Sequence, residues 1–302
     1  MDEAQIIETQ SLTKTYGKAR GIADLNLRVQ RGEIFGFLGP NGAGKTTTIR
    51  LLLDILRPTR GMALVLGLDP RKDGRVIRQR MGYLPGELAL YPGLTGREIL
   101  DYSAHLRGGV PRAEIDRLAG LLDIDLSRPI RAYSHGNRQK VGLILALMHK
   151  PELVILDEPT NGLDPLIQQV LYDLLDEVRK DGRTVFFSSH VLPEVERLCN
   201  RVGLLREGKL AAVETVAGLK QKAIRRIDII FDSPVSADDF RSIPGVTEVR
   251  SSGSTLHLVA RGNLDPLIKA AARRTVLNIV TYEPNLEEFF LAFYREGGSH
   301  AA

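Results

Sequence analysis

Short, unbroken apolar runs recur along the chain, and each of three of them leads into a segment able to do chemistry. Ile34-Phe35-Gly36-Phe37-Leu38, Leu153-Val154-Ile155-Leu156 and Thr184-Val185-Phe186-Phe187-Ser188 have the length and the lack of alternation of strands buried on both faces. A glycine-rich turn follows the first. It leads into Thr46–Leu56, where Ile49, Leu52, Leu53 and Leu56 keep helical spacing until Pro58 stops the pattern. Strand, loop and helix in that order predict a parallel sheet, whose working ends are the carboxyl ends of its strands.

Between the first two runs the pattern turns helical. Thr95 and Glu98 fit a capping box opening a helix towards Leu106, and Pro111–Leu122 reads as another helix. A short helix is expected around Val195. A hairpin follows, Val202–Leu205 and Leu210–Val213, turning at Glu207-Gly208-Lys209. From Ile227 the elements become short and mixed: strands at Ile227–Phe231, Val246–Ser251, Thr255–Val259 and Val276–Thr281, helices near Ala237 and Leu264, and a closing helix Leu286–Tyr294. That alternation predicts a separate small α+β domain.

Composition narrows the class. With 302 residues, 43% hydrophobic and 26% charged, the chain has material for a sizeable core and more than one domain. Its longest apolar stretch, Val141–Met148, is far short of the ~18 residues a spanning helix needs. The first residues carry acid rather than base, and Cys199 has no partner for an internal disulfide. Both features predict a reducing, cytoplasmic setting. The net charge of +4 is local. Arg201–Arg226 holds seven bases and two acids, and the rest of the chain sums to −1, so a global nucleic-acid-binding surface is not expected.

The chemistry centres on Gly39-Pro40-Asn41-Gly42-Ala43-Gly44-Lys45-Thr46, which satisfies G-x-x-x-x-G-K-[ST] between a predicted strand and a predicted helix. Glycines there turn successive N–H groups inward, the helix start adds partial positive charge, and Lys45 reaches the β and γ phosphates. Thr46 is placed for Mg²⁺. The second apolar run delivers Asp157 to the metal side of such a site, and Glu158 beside it is placed to accept a proton from attacking water. Three further features have two readings each from the residues alone. Tyr16 is a packing side chain or a base-stacking one. Ser134 and Gly136 are helix caps or an anion site, and His190 is a satisfied polar residue or a phosphate contact.

Taken in order, these motifs resemble the nucleotide-binding subunit of ABC transporters, over roughly Ile6–Val213. The resemblance implies ATP and Mg²⁺ as ligands, with Tyr16 stacking on adenine and Gly39, Asn41, Gly42, Ala43, Gly44, Lys45, Thr46 and Thr47 holding phosphates. Thr46 and Asp157 become metal ligands; Glu158, His190 and Lys45 become catalytic. Tyr133-Ser134-His135-Gly136-Asn137-Arg138-Gln139 is similar to the family signature, opening a helix Arg138–Met148, and in that family it faces the nucleotide of a second subunit. Thr160–Asp164 matches the loop crossing between the two sites. A head-to-tail homodimer or paired cassettes, and a separately encoded transmembrane permease docking around Tyr83–Pro92, follow from the same resemblance. So does a place on the cytoplasmic face of the membrane.

The implied fold is an α/β P-loop NTPase, a RecA-like parallel sheet core with an antiparallel β subdomain and a helical subdomain at about 87–150. These occupy residues 1–215, then a basic linker at 216–226 and an accessory α+β domain at 227–302. Pro284-Asn285-Leu286-Glu287-Glu288-Phe289-Phe290 is similar to the end of the accessory domain on bacterial and archaeal exporter cassettes, which favours export. Two positions depart from the family pattern: Gly86 where a glutamine is usual, and His135, with Asn137, inside the signature. The alternatives are a soluble cassette ATPase acting on nucleic acid or ribosomes, and a low-turnover nucleotide-gated switch. A GTPase is disfavoured, since no Asn-Lys-x-Asp motif is present.

Overall fold

A computed structural model describes residues 5–17, 19–222, 225–260 and 262–282. The chain forms two compact units, Met1–Glu214 and Thr215–Ala302. The first is built on a six-stranded sheet in the order Lys209–Thr215, Arg201–Arg206, Ile34–Leu38, Thr184–Ser189, Leu153–Asp157 and Met81–Leu84. Pairing is parallel from Arg201–Arg206 through to Met81–Leu84. Every residue of Ile34–Leu38, Leu153–Asp157 and Thr184–Ser189 is buried, which is why these strands read as continuous apolar runs.

An antiparallel layer covers one face of this sheet. Gln5–Tyr16 lies at its centre, paired with Ala19–Leu25, Arg28–Gln30 and Arg60–Val65. One apolar cluster joins Ile7, Leu12, Leu25 and Val29 of that layer to Phe35, Phe37, Ile155 and Phe186 of the parallel sheet. The rings of Phe37 and Phe186 meet at 5.2 Å, in the tilted arrangement aromatic pairs prefer. Ile49 and Leu52 belong to the same cluster, so burial anchors the helix that follows the glycine-rich turn. This helix runs Lys45–Leu52 rather than to Leu56; Asp54 adopts φ +55° and breaks it before Pro58 is reached.

The helical insert contains Gly96–Leu106, Arg112–Leu121 and His135–Leu147. Thr95 and Glu98 form the reciprocal capping box, satisfying two free N–H groups at the start of the first helix. The third helix starts three residues before the expected Arg138, because Ser134 is its N-cap and accepts from Asn137 N. At its far end Arg107 Nη1 donates to His149 Nε2 at 2.7 Å. Burial first, and then the charge of Arg107, lower the His149 imidazole from 6.5 to about 4. The unfolded chain therefore binds this proton more readily than the folded one. Stability due to His149 is present above pH 6.5 and is lost as pH falls towards 4. His149→Gln is expected to flatten the pH dependence over that window, measured as thermal unfolding at pH 7 and pH 5.

The second unit is an antiparallel sheet ordered Val246–Ser252, Thr255–Ala260, Arg225–Phe231 and Val276–Tyr282. Ile227, Ile229 and Phe231 alternate inward onto Leu256, Leu258, Phe240 and Leu267. Within the stretch 216–226, Val216–Lys222 is a helix, and Arg225 and Arg226 begin the central strand. Two arginines at its start disguised the alternation. The expected helix Leu286–Tyr294 and the motif Pro284–Phe290 lie outside the described residues.

Candidate active site

The carboxyl ends of three neighbouring strands bring the expected chemistry together. Leu38 runs into the turn 39–44, Asp157 ends the second strand, and Ser189 ends the third just before His190. In the turn, Gly42 and Gly44 have φ of +79° and +109°, conformations that favour glycine. A Cβ on Gly39 would stand 2.5 Å from Leu205 O, and one on Gly44 2.8 Å from Cγ2 of Ile22. Strands of two sheets thus enclose the turn, one by its backbone and one by a side chain. Asn41 and Gly42 are exposed at its tip, Ala43 is buried beneath it, and Thr47 is half-buried on the helix. Tyr16 is half-exposed nearby: a Cβ on Gly21 would lie 2.9 Å from its ring, and Gly21 O adjoins Gly44.

Lys45 is buried, with Nζ donating to Gly39 O at 2.6 Å and Pro40 O at 3.3 Å. It also stands 3.1 Å from Glu158 Oε1, an ion pair without hydrogen-bond alignment, so this buried carboxylate oxygen has no donor among the described residues. His190 Nδ1 meets the other oxygen, Oε2, at 2.7 Å. Glu158 itself holds φ +52°, uncommon for a residue with a side chain. A carboxylate fixed between a lysine and a histidine, with one oxygen lacking a donor, is equipped to receive a proton from water.

Asp157 is fully buried, and hydroxyls orient both its oxygens. Thr46 Oγ1 donates to Oδ2 at 2.8 Å and Ser188 Oγ donates to Oδ1 at 2.6 Å. An anionic oxygen beside a hydroxyl oxygen is the hard donor set that suits Mg²⁺, so Thr46 and Asp157 fit that ion. Tyr83 adjoins this end of the sheet. Burial, and then the charge of Asp157, push its phenol up to about 12, and it remains protonated.

The signature residues gather at a different place. Ser134 caps its helix, and His135 and Gly136 lie on the segment following Glu158: a Cβ on Gly136 would sit 2.4 Å from Gly162 O. Asn137 supplies the N–H that Ser134 Oγ accepts. Asp164 caps the helix Pro165–Lys180, accepting from Leu166 N and Ile167 N at 3.1 Å each. At Gly86, a Cβ would lie 3.5 Å from Asp157 Oδ2, so this position faces the metal side of the site.

Two contacts beside the site are not visible in the sequence pattern. Ser188 accepts Glu158 N–H at 3.2 Å while it donates to Asp157, and Gln139 reaches Pro159 O. For Ser188 the signal is a hydroxyl residue ending an otherwise apolar strand; Gln139 belongs to the signature-like segment, but nothing in the sequence names its partner, which lies in another element.

A family model described as ABC transporter matches residues 22–161. Over 300 residues the chain is 34% identical to the bacitracin transport ATP-binding protein BcrA of Bacillus licheniformis, covering 95% of this chain and 96% of that protein. This chain belongs to the ABC transporter family. It is also 31% identical to the linearmycin resistance ATP-binding protein LnrL of Bacillus subtilis, over 95% of this chain and 97% of that one. A solved ATP-binding subunit of an ABC transporter superposes with a TM-score of 0.65 at 32% identity, covering 71% of this chain and 92% of that one. The cassette is accordingly a P-loop ATPase, the ATP-hydrolysing subunit of a transporter, a class that works with membrane permeases. No helix among the described residues is long and apolar enough to cross a membrane.

Proposed function

We propose that two cassettes close head to tail on two ATP molecules and that the cycle of closing and opening drives an exporter. The observation carrying this reading is the Lys45–Glu158–His190 arrangement beside Thr46 and Asp157. In it, Lys45 leaves its own loop carbonyls for the β and γ phosphates, and the turn 39–44 with Thr47 holds the phosphate chain. Tyr16 stacks on the adenine. Thr46 and Asp157 hold Mg²⁺, which when bound neutralises charge on the phosphate oxygens. Glu158 takes the proton of the attacking water, while Lys45 and His190 stabilise charge on the transferring phosphoryl group.

Ser134, His135, Gly136 and Asn137 face the partner's nucleotide, and Thr160–Asp164 crosses between the two sites. Residues 1–215 act as this engine, with the insert at 87–150 as its permease-facing part, and the second unit acts as an accessory domain. The groove lined by Leu88, Leu90, Pro92, Ile130 and Arg131 suits a permease contact at the cytoplasmic face of the membrane. Export rather than import is supported by relatives named for bacitracin transport and linearmycin resistance that match almost the whole chain. Nucleic acid is not an expected partner.

Purification of the tagged chain from detergent-solubilised membranes tests the reading. A multi-span membrane protein is expected in stoichiometric amount, and its co-reconstitution in vesicles is expected to raise phosphate release. Recovery of RNA or DNA in place of a membrane protein would overturn the transport assignment.

A further inference from the structure

Glu158 is held in a conformation its own sequence opposes. It lies at φ +52° and immediately precedes Pro159, and the residue before a proline is driven towards extended backbone. Relaxation in that direction would swing the carboxylate away from Lys45 and His190. Such a conformation persists only where the surroundings over-determine it.

Two sets of contacts do so. On the amino side, Ser188 O and Ser188 Oγ both accept Glu158 N–H at 3.2 Å. On the carboxyl side stands Gln139, 1% exposed, whose Nε2 donates to Pro159 O at 3.2 Å. The proline ring already fixes φ at Pro159, so a bond to its carbonyl removes the one soft rotation left there. Gly136 and Gly162 reinforce the grip. A Cβ on Gly162 would fall 2.3 Å from Cδ2 of His135, so helix and segment pack too closely for a side chain at that point.

We propose that Gln139 is a positioning residue for ATP hydrolysis, holding the Pro159 peptide so that Glu158 keeps the left-handed conformation that aims its carboxylate. The proposal rests on Glu158 acting as the base. Gln139→Met keeps length and apolar packing but loses the donor. It is expected to lower kcat about tenfold with KM for ATP unchanged, and to cost nothing further, within about twofold, when added to Glu158→Gln. Gln139→Asn, a donor too short to reach Pro159 O, gives the same pattern and serves if the Met variant does not fold.

A wild-type kcat in both variants overturns the proposal, as does an equal loss in both Glu158 backgrounds, which a merely structural role would give. Failure of the underlying reading has a separate signature: Glu158→Gln alone would then turn over at the wild-type rate.

Discussion

Glu158→Gln is expected to bind ATP normally yet hydrolyse it about 10²- to 10⁴-fold more slowly, the usual worth of a positioned general base. The substitution preserves size and leaves a carbonyl or amide facing His190 Nδ1, which now stands 2.7 Å from the carboxylate. What disappears is basicity at Oε1, the buried oxygen that has no hydrogen-bond donor among the described residues. Lys45 also loses its anionic neighbour at 3.1 Å, so ATP affinity is expected to hold or increase. Single-turnover phosphate release, with nucleotide affinity measured separately, checks both halves. On the proposed head-to-tail closure, an ATP-dependent rise in dimer mass should accompany the slow rate, because closed pairs would no longer reopen through hydrolysis. A rate within threefold of wild type would remove Glu158 from the base's role.

Gly44→Ala is expected to weaken ATP binding by about 10- to 100-fold, equivalent to roughly 1.4–2.8 kcal/mol. Two effects combine. At φ +109° an alanine is strained by an amount on the order of 1–3 kcal/mol. Its Cβ would also stand 2.8 Å from Ile22 Cγ2 and 3.2 Å from Gly21 O, so the turn must move off the Ala19–Leu25 strand. The N–H groups that converge on phosphate move with it. Gly67→Ala isolates the strain alone: φ is +76° there, and nothing lies within 4 Å of the added Cβ. That variant is expected to lose about 1 kcal/mol of stability while its ATP affinity stays unchanged. Titration calorimetry of the two variants separates the cases, and equal affinities for Gly44→Ala and wild type would contradict the enclosed-turn argument.

Three strands of the parallel core were legible because each is a local apolar run, and Lys45, Asp157 and His190 lie at or shortly after their carboxyl ends; Met81–Leu84, a short strand of four residues that includes Gly82, was not. Lys45, Asp157 and His190 could be placed by counting from Leu38, Leu156 and Ser189. The Thr95–Glu98 box was legible for the same reason, since its two partners are three residues apart. The antiparallel layer was not delineated. Gln5–Tyr16 buries its residues irregularly, with register shifts against each of its neighbours, so no period of two appears. The helix Pro165–Lys180 also went unassigned, although Asp164 and Pro165 carry a cap and a first-turn proline. Gln139 shows the deeper limit. Its meaning lies in a carbonyl twenty positions away, and spacing cannot reveal which backbone group a buried amide will meet.

The sheet order has a consequence for biosynthesis. Gln5–Tyr16 finds its partners by residue 65, so the antiparallel layer can form early on the ribosome. Ile34–Leu38 pairs with Thr184–Ser189 and Arg201–Arg206, about 150 residues downstream. At elongation rates of roughly 5–20 residues per second, the nascent chain carries that apolar strand unpaired for roughly 8–30 s. The segment that will anchor the phosphate loop is thus one of the last parts of the site to acquire its neighbours.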